Sequence, residues 1–220
     1  MGEADAFKIK MILGLFTIDK GKLKVLLVKK GGEPYKGYWI LPSKGLTYDE
    51  SFASNTNTLL EEYVGLENVY TEGFKAFEDK EEALDDKIVH VSTLALVDSV
   101  TATYKRKEIS TVESGWFDID SFPKLGYNHE EVIDSMIIYL KQKIKTTDIL
   151  KLLFPSDFTL PEMQSICEQV EGKILDRRNF RKKILALDIL EDTGYKNDSS
   201  NGRPAKLYKF KEDSTNIRLF

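Results

Sequence analysis

Cysteine is almost absent from this chain: of 220 residues only Cys167 carries a thiol, so no intrachain disulfide can staple the fold. Histidine is nearly as scarce. His90 and His129 stand too far apart in the sequence, without Cys partners, to read as a metal site. Long apolar stretches are missing too, because the longest, residues 11–18, falls far short of the ~20 residues a bilayer span needs. The first residues, Met1-Gly2-Glu3-Ala4-Asp5, do not form a basic region leading into an apolar one. These absences give the expectation of a disulfide-free, cytoplasmic protein with no membrane partner. A surplus of positive charge is also lacking. With 32 Lys and Arg against 36 Asp and Glu, the net charge of −4 taken whole weighs against nucleic acid as a partner.

The distribution of charge says otherwise. Residues 1–140 carry −8 and residues 141–220 carry +4, which divides the chain into two units with different partners. The apolar fraction of 41% suffices for packed cores rather than disorder. In the acidic part, runs at 7–18, 23–30 and 87–97 are dense in Val, Ile, Leu, Phe or Thr and read as strands. Residues 129–144 read as a helix, with Val132, Ile133, Met136, Ile137, Leu140 and Ile144 at helical spacing. Its lysine-rich end suits a helix C-terminus. The boundary is expected near residue 147, giving domains 1–147 and 148–220.

After the strand-like residues 38–41 come Pro42-Ser43-Lys44-Gly45 and a helical segment over 49–64, with Asp49 as the expected cap and Gly65 as its left-handed end. In Leu41-Pro42, Asp49-Glu50-Ser51, Leu60, Glu62 and Gly65-Leu66 this stretch resembles the box of the Nudix hydrolase family, G-x5-E-x7-R-E-U-x-E-E-x-G-U with U aliphatic. In that register Lys44 falls on the first Gly, Glu50 on the first Glu and Thr58 on the Arg. Leu59, Glu62 and Tyr63 fall on the three Glu that follow. The resemblance implies that active members gather those three carboxylates on one helix face to hold a divalent metal against a diphosphate. Here one of the three is left, and Glu61 lies about 100° away from Glu62 around the helix. Glu50 and Glu62 are therefore remnants of a degenerate box, with no catalytic residue, metal or cofactor assigned. Tyr35, Tyr38, Trp39 and Tyr48 crowd the neighbouring loops. Tyr38, Trp39, Lys44 and Tyr48 are the expected effector-binding residues, against the alternative that such aromatics only pack the sheet. Cys167, beside Ile166 on a helix, reads as a small buried hydrophobe.

The basic part is helix-periodic. Residues 148–154 suggest a short apolar helix, and Thr159-Leu160-Pro161-Glu162 has the form of a capping box that opens a helix ending at Gly172. Asp176 caps the next helix. There Phe180, Ile184 and Leu187 define an inward stripe, leaving Arg178 and Lys182 opposite it and Asn179 and Arg181 on the flanks. Residues 189–196 and 204–210 read as a hairpin across the polar loop 197–202, with Arg203 at the loop's exit. A basic amphipathic helix seen alone is more often a solvated face than a reader of DNA. The order helix, turn, helix and winged hairpin reverses that preference.

The sequences at 176–183 and 202–208 closely resemble the winged-helix part of the Nudix-related transcriptional regulators, an NrtR-like family. The resemblance implies an α+β chain: an N-terminal Nudix-like α/β/α sandwich with a mixed sheet, then a C-terminal winged helix-turn-helix. It also implies a homodimer on double-stranded operator DNA, responding to a small-molecule effector, with ADP-ribose in NAD metabolism or a pentose sugar as the themes of the family. Arg178, Arg181 and Lys182, with Asn179, are then expected at the DNA groove. Arg177, Lys183, Arg203 and Lys206 are expected on phosphate. The rival expectation is a Nudix hydrolase acting on ADP-ribose or a related nucleoside diphosphate through an irregular site.

Overall fold

The fold is taken from a computed structural model that describes residues 8–65, 69–81, 86–98, 113–146, 149–154, 157–197 and 204–212. Two compact units emerge. The first holds the chain up to Phe16, Lys24–Val97 and the stretch ending at Met136; the second holds Thr17–Leu23 and everything described from Ile137 onward. Residue 147 lies outside the described residues.

The first unit is built on a mixed sheet of β1 (Lys8–Asp19), β2 (Lys22–Lys29), β3 (Trp39–Ile40), β4 (Ser43–Gly45), β5 (Tyr70–Glu81), β6 (Asp86–Leu96) and β7 (Ser114–Asp118). The order β3-β2-β1-β6-β5 has β4 added to β1 and β7 to β2, and only the β1–β6 pair is parallel among the registers described. Residues 11–18 are buried without a break, as a central strand covered on both faces requires. On one face Met11, Leu13 and Leu15 pack with Leu59, Leu60 and Tyr63 of helix α1 (Phe52–Val64). On the other, helix α2 (His129–Thr146) approaches so closely that a Cβ on Gly14 would stand 2.1 Å from the Met136 sulfur. The sheet thus lies between two helices.

Helix α1 starts two residues later than the expected Asp49 cap. Ser51 is the N-cap, its hydroxyl accepting from Ser54 N–H while the Ser54 hydroxyl accepts from Ser51 N–H; Asp49 lies in the preceding turn. Glu50 is the reason, since it holds Thr47 across that turn through both the backbone N–H and the hydroxyl, which delays the first helical residue. Gly65 ends the helix at φ 61°, as its position in the sequence predicts.

The second unit has the order of a winged helix. Within the residues expected to form a short apolar helix over 148–154, Ile149–Leu152 makes a 3-10 turn, after which Leu153 and Phe154 N–H both donate to Leu150 C=O at 3.1 Å. There follow β8 (Phe158–Thr159), α3 (Leu160–Glu171), α4 (Arg177–Ala186), β9 (Leu190–Lys196) and β10 (Lys206–Phe210), with the strands in the order β8-β10-β9. The capping box at Thr159 and Glu162 forms, and α3 ends at Gly172 with φ 66°. Met163, Ile166, Cys167 and Val170 of α3 are buried, as are Phe180 and Ile184 of α4, whereas Leu187 is the half-buried C-cap. The rings of Phe154, Phe158 and Phe210 close the core with centroids 4.6–6.4 Å apart. Within the same unit Gly21 C=O accepts from Ser165 Oγ and Gln169 Nε2, and Leu23 N–H donates to Gln169 Oε1 at 2.8 Å.

Candidate DNA-reading helix and effector cavity

Helix α4 is positioned by its ends and by one apolar stripe. Asp176 caps it, its Oδ1 accepting from Asn179 N–H at 2.8 Å, and Phe180 and Ile184 anchor the inner face. The outer face is left to charge. Arg177, Arg178, Asn179, Arg181, Lys182 and Lys183 are all exposed, and the helix carries five cations and no acid. With the helix N-terminus adding its own partial positive charge, this surface is complementary to a polyanion. Arg203 lies outside the described residues.

The hairpin beside α4 is of another character. Lys206 Nζ bonds Asp192 Oδ2 at 2.6 Å, Lys209 meets Glu191 at 3.2 Å and Lys211 meets Asp188 at 2.7 Å. Asp192 is oriented from both sides, because its Oδ1 accepts from Gly194 N–H at 3.0 Å. The Lys206 ammonium and the Gly194 N–H hold this carboxyl below the usual range, and Asp192 in turn raises Lys206. A pairing across two strands leaves no signal in local sequence, so Asp192 did not stand out there.

In the first unit the box residues have been turned to other ends. Leu59 and Tyr63, which stand where two of the metal-binding carboxylates would be, are buried in the apolar cluster with Met11, Leu13 and Leu15. Burial, with the Glu62 charge beside it, pushes the Tyr63 phenol up to about 12. Glu62 is exposed. Glu50 is fully engaged: it forms an ion pair with Lys44 and accepts from Thr47 and from Asn55 Nδ2 at 3.1 Å. The Lys44 ammonium, with the Thr47 bonds, holds the Glu50 carboxyl at about 2. Asn55, wholly buried, also donates to Gly45 C=O at 3.2 Å, which explains why a weak helix former sits in the first turns of α1. A divalent cation needs several oxygens converging on one point. The residues present do not fit it, and among the described residues no group of three or more His, Cys, Asp or Glu is placed to hold a metal. Thermal unfolding of the chain is accordingly expected to be the same in Mg²⁺ as in EDTA; a midpoint raised by Mg²⁺ and lowered again by Glu50→Gln would contradict this reading of the box.

Beside the box lies a cavity of about 440 Å³, lined by Val28, Lys29, Lys30, Gly31, Ile40, Ser43, Tyr63 and Glu113. Its volume is in the range of small-ligand sites. The floor is apolar, and the rim has Lys29, Lys30, Ser43 and Glu113, with Lys29 bonded to Glu113 at 2.9 Å. None of Tyr38, Trp39, Lys44 and Tyr48 lines it, although Ile40 and Ser43, their chain neighbours, do. The Trp39 ring lies 4.8 Å from Phe117 and 5.6 Å from the ammonium of Lys29, which does line the cavity. Tyr38 is half-exposed and Tyr48 fully so.

The two histidines, 39 positions apart in the sequence, meet in the core with ring centroids 5.6 Å apart, both about 1% exposed. Tyr127 packs on each, at 5.8 Å from His90 and 5.2 Å from His129. His129 Nδ1 accepts from Leu41 N–H at 2.9 Å, so it pins the strand end that leads into the box loop. Burial drives both imidazoles down, His90 to about 4 and His129 to about 3, with Lys10 adding to each. Cys167 is buried as expected, and its thiol is pushed up to about 12 by burial.

Residues 150–210 match the family model of the NrtR DNA-binding winged helix domain. The ADPR responsive transcriptional repressor NtrR of Acinetobacter baylyi is 26% identical over 202 residues, which is 90% of this chain and 80% of that protein. The crystal structure of Shewanella oneidensis NrtR complexed with a 27mer DNA matches with a TM-score of 0.74 at 28% identity, over 96% of this chain and 98% of that one. The Nudix domain of the Shewanella oneidensis protein, solved in complex with ADP ribose, shares the fold of the first unit: TM-score 0.52 at 24% identity, over 61% of this chain and 89% of that one.

Proposed function

We propose, for a chain whose residues 150–210 are a winged helix domain of the NrtR type behind a Nudix fold, the role of an ADP-ribose-responsive transcriptional regulator that binds operator DNA as a homodimer. The observation that carries this reading is helix α4, on which five cations face solvent while Phe180 and Ile184 fix the opposite side in the core. Arg178, Asn179, Arg181 and Lys182 enter the groove; Arg177 and Lys183 bind phosphate, as does Arg203 at the end of the wing loop. The effector occupies the cavity beside the box, its anionic groups at the Lys29 and Lys30 rim and its flatter part over Ile40 and Tyr63. Residues 1–147 serve as sensor and 148–220 as reader. The relatives support the effector assignment, since the 26% identical Acinetobacter repressor is ADPR responsive and the Shewanella Nudix domain, similar in fold, was solved with ADP ribose.

The test is titration of the full chain into a labelled duplex that it selects itself from a random pool. Binding in the nanomolar range that falls steeply with salt is expected, and ADP-ribose should shift the curve while arabinose should not. Sedimentation of the complex gives the stoichiometry, expected as two chains per duplex. Hydrolysis of ADP-ribose at about 1 s⁻¹ or faster, lost in Glu62→Gln, would replace this reading with that of an enzyme.

A further inference from the structure

The charges of the winged helix are partitioned in a way that bears on how DNA is selected. Helix α4 has five cations and no acid, so nothing on the helix itself neutralises them. On the hairpin every lysine of β10, and Lys211 just after it, is matched by an acid: Lys206 by Asp192, Lys209 by Glu191 and Lys211 by Asp188. Three such pairs on one small ribbon leave no surplus positive charge among them.

The Asp192–Lys206 pair differs from the other two. It is the shortest of them, and its carboxylate is pre-oriented by Gly194 N–H, so the acceptor does not have to be ordered when the lysine arrives. Thr193 ties the two strands together where their pairing shifts between Lys206 and Tyr208, its hydroxyl donating to Leu207 C=O at 3.1 Å. Of the recognition-helix cations, Arg181 is the one whose charge weighs on Lys206.

Resting on the DNA-reading function proposed above, we propose that Asp192 is a specificity determinant, holding Lys206 away from the phosphate backbone so that this lysine adds no sequence-independent affinity. Phosphate contacts by lysine strengthen binding to every sequence alike, whereas contacts to base edges strengthen it to one. A wing whose lysine is already occupied leaves discrimination to α4. Lys206, expected from the sequence to bind phosphate, is in this arrangement a partner of Asp192.

The experiment measures anisotropy of the full chain on its selected duplex and on a scrambled duplex of the same composition, across a series of salt concentrations, for wild type, Asp192→Asn, Lys206→Ala and the double variant. Asn at 192 still accepts from Gly194 N–H, so the turn is kept while the charge is removed. Asp192→Asn is expected to bind the scrambled duplex roughly fivefold tighter and to steepen its log–log salt slope by about one, the signature of one added phosphate contact. The double variant should return to the wild-type slope, and Lys206→Ala alone should change neither duplex by more than about twofold. A Lys206→Ala variant that loses affinity for both duplexes and flattens the slope would show Lys206 already on phosphate and overturn the proposal. So would an Asp192→Asn slope identical to wild type. If the wild-type chain bound neither duplex even at low salt, the DNA-reading function itself would fall, an outcome that the other two do not resemble.

Discussion

Replacing Arg178 and Arg181 together by alanine is expected to weaken binding to the selected duplex by at least about thirtyfold while leaving the fold intact. The two lie three residues apart on α4, neighbours on its outer face, and both are exposed. Each guanidinium that pairs with a base edge through two bonds is worth about 1–3 kcal/mol of discrimination, so losing two costs a factor of about thirty or more. Nothing that holds the helix is touched. Phe180 and Ile184 keep the inner face, Asp176 keeps the cap, and alanine is at least as good a helix former as arginine. The thermal midpoint should therefore stay with the wild type. A second variant, Arg178→Lys with Arg181→Lys, separates base reading from phosphate binding. Lysine keeps the charge and loses the planar fork, so affinity for the selected duplex should fall while affinity for the scrambled one is retained. If the alanine variant shifted the selected duplex at wild-type concentrations, α4 would not be the recognition helix.

The parts of this molecule that local chemistry encodes were readable in the sequence. Thr159 with Glu162, Asp176 three residues before Asn179, and the glycines at 65 and 172 each specify a helix end within one turn of chain, and the structure places the ends there. The Ser51 start was harder, because its reciprocal partner is Ser54 rather than the Glu or Gln of the usual capping box. What the sequence could not show depends on residues far apart along the chain. His90 and His129 become neighbours because β6 lies beside β1 and α2 crosses the same face; Asp192 reaches Lys206 where the pairing of β9 with β10 shifts between Lys206 and Tyr208. The cavity follows the same logic. Aromatic residues next to the box were natural candidates, yet β3 contributes Ile40 rather than Trp39 to the cavity, beside Val28, its register partner on the neighbouring strand β2.

The net charge of −4 illustrates a related point. It is a sum over an acidic N-terminal part and a basic C-terminal part, and within the latter it is again a sum over a helix with five cations and no acid of its own and a strand, β10, whose lysines are paired. The five cations of α4 matter because of where they stand, not because the chain has a surplus of them. In the homodimer proposed above, two such helices stand at the spacing of the half-sites, which offsets the little affinity that one helix with few phosphate contacts has to spare.

Acid should unfold the first unit well before its carboxylates are titrated. His90 and His129 are buried as neutral imidazoles, with folded-state values of about 4 and 3 against 6.5 in the open chain. Between pH 6.5 and 4 the unfolded chain therefore binds protons that the folded one does not, and stability is lost as pH falls through this window. Each group contributes about 1.36 kcal/mol per pH unit there, so at pH 4.5 the two together remove on the order of 5 kcal/mol relative to pH 7.5. That is a large part of the net stability of an ordinary domain. Glu50 acts in a different range, because its stabilising contacts are lost only as pH drops from about 4.5 towards 2. The measurement is the urea midpoint as a function of pH, with the slope between pH 6.5 and 5 corresponding to about two protons taken up on unfolding. His90→Gln should halve that slope. His129→Gln should do the same, with the glutamine carbonyl available to accept from Leu41 N–H in place of Nδ1. A wild-type midpoint that stays flat from pH 7.5 to 5 would show that the imidazoles are not held neutral in the folded chain, and the arrangement around Tyr127 would have to be revised.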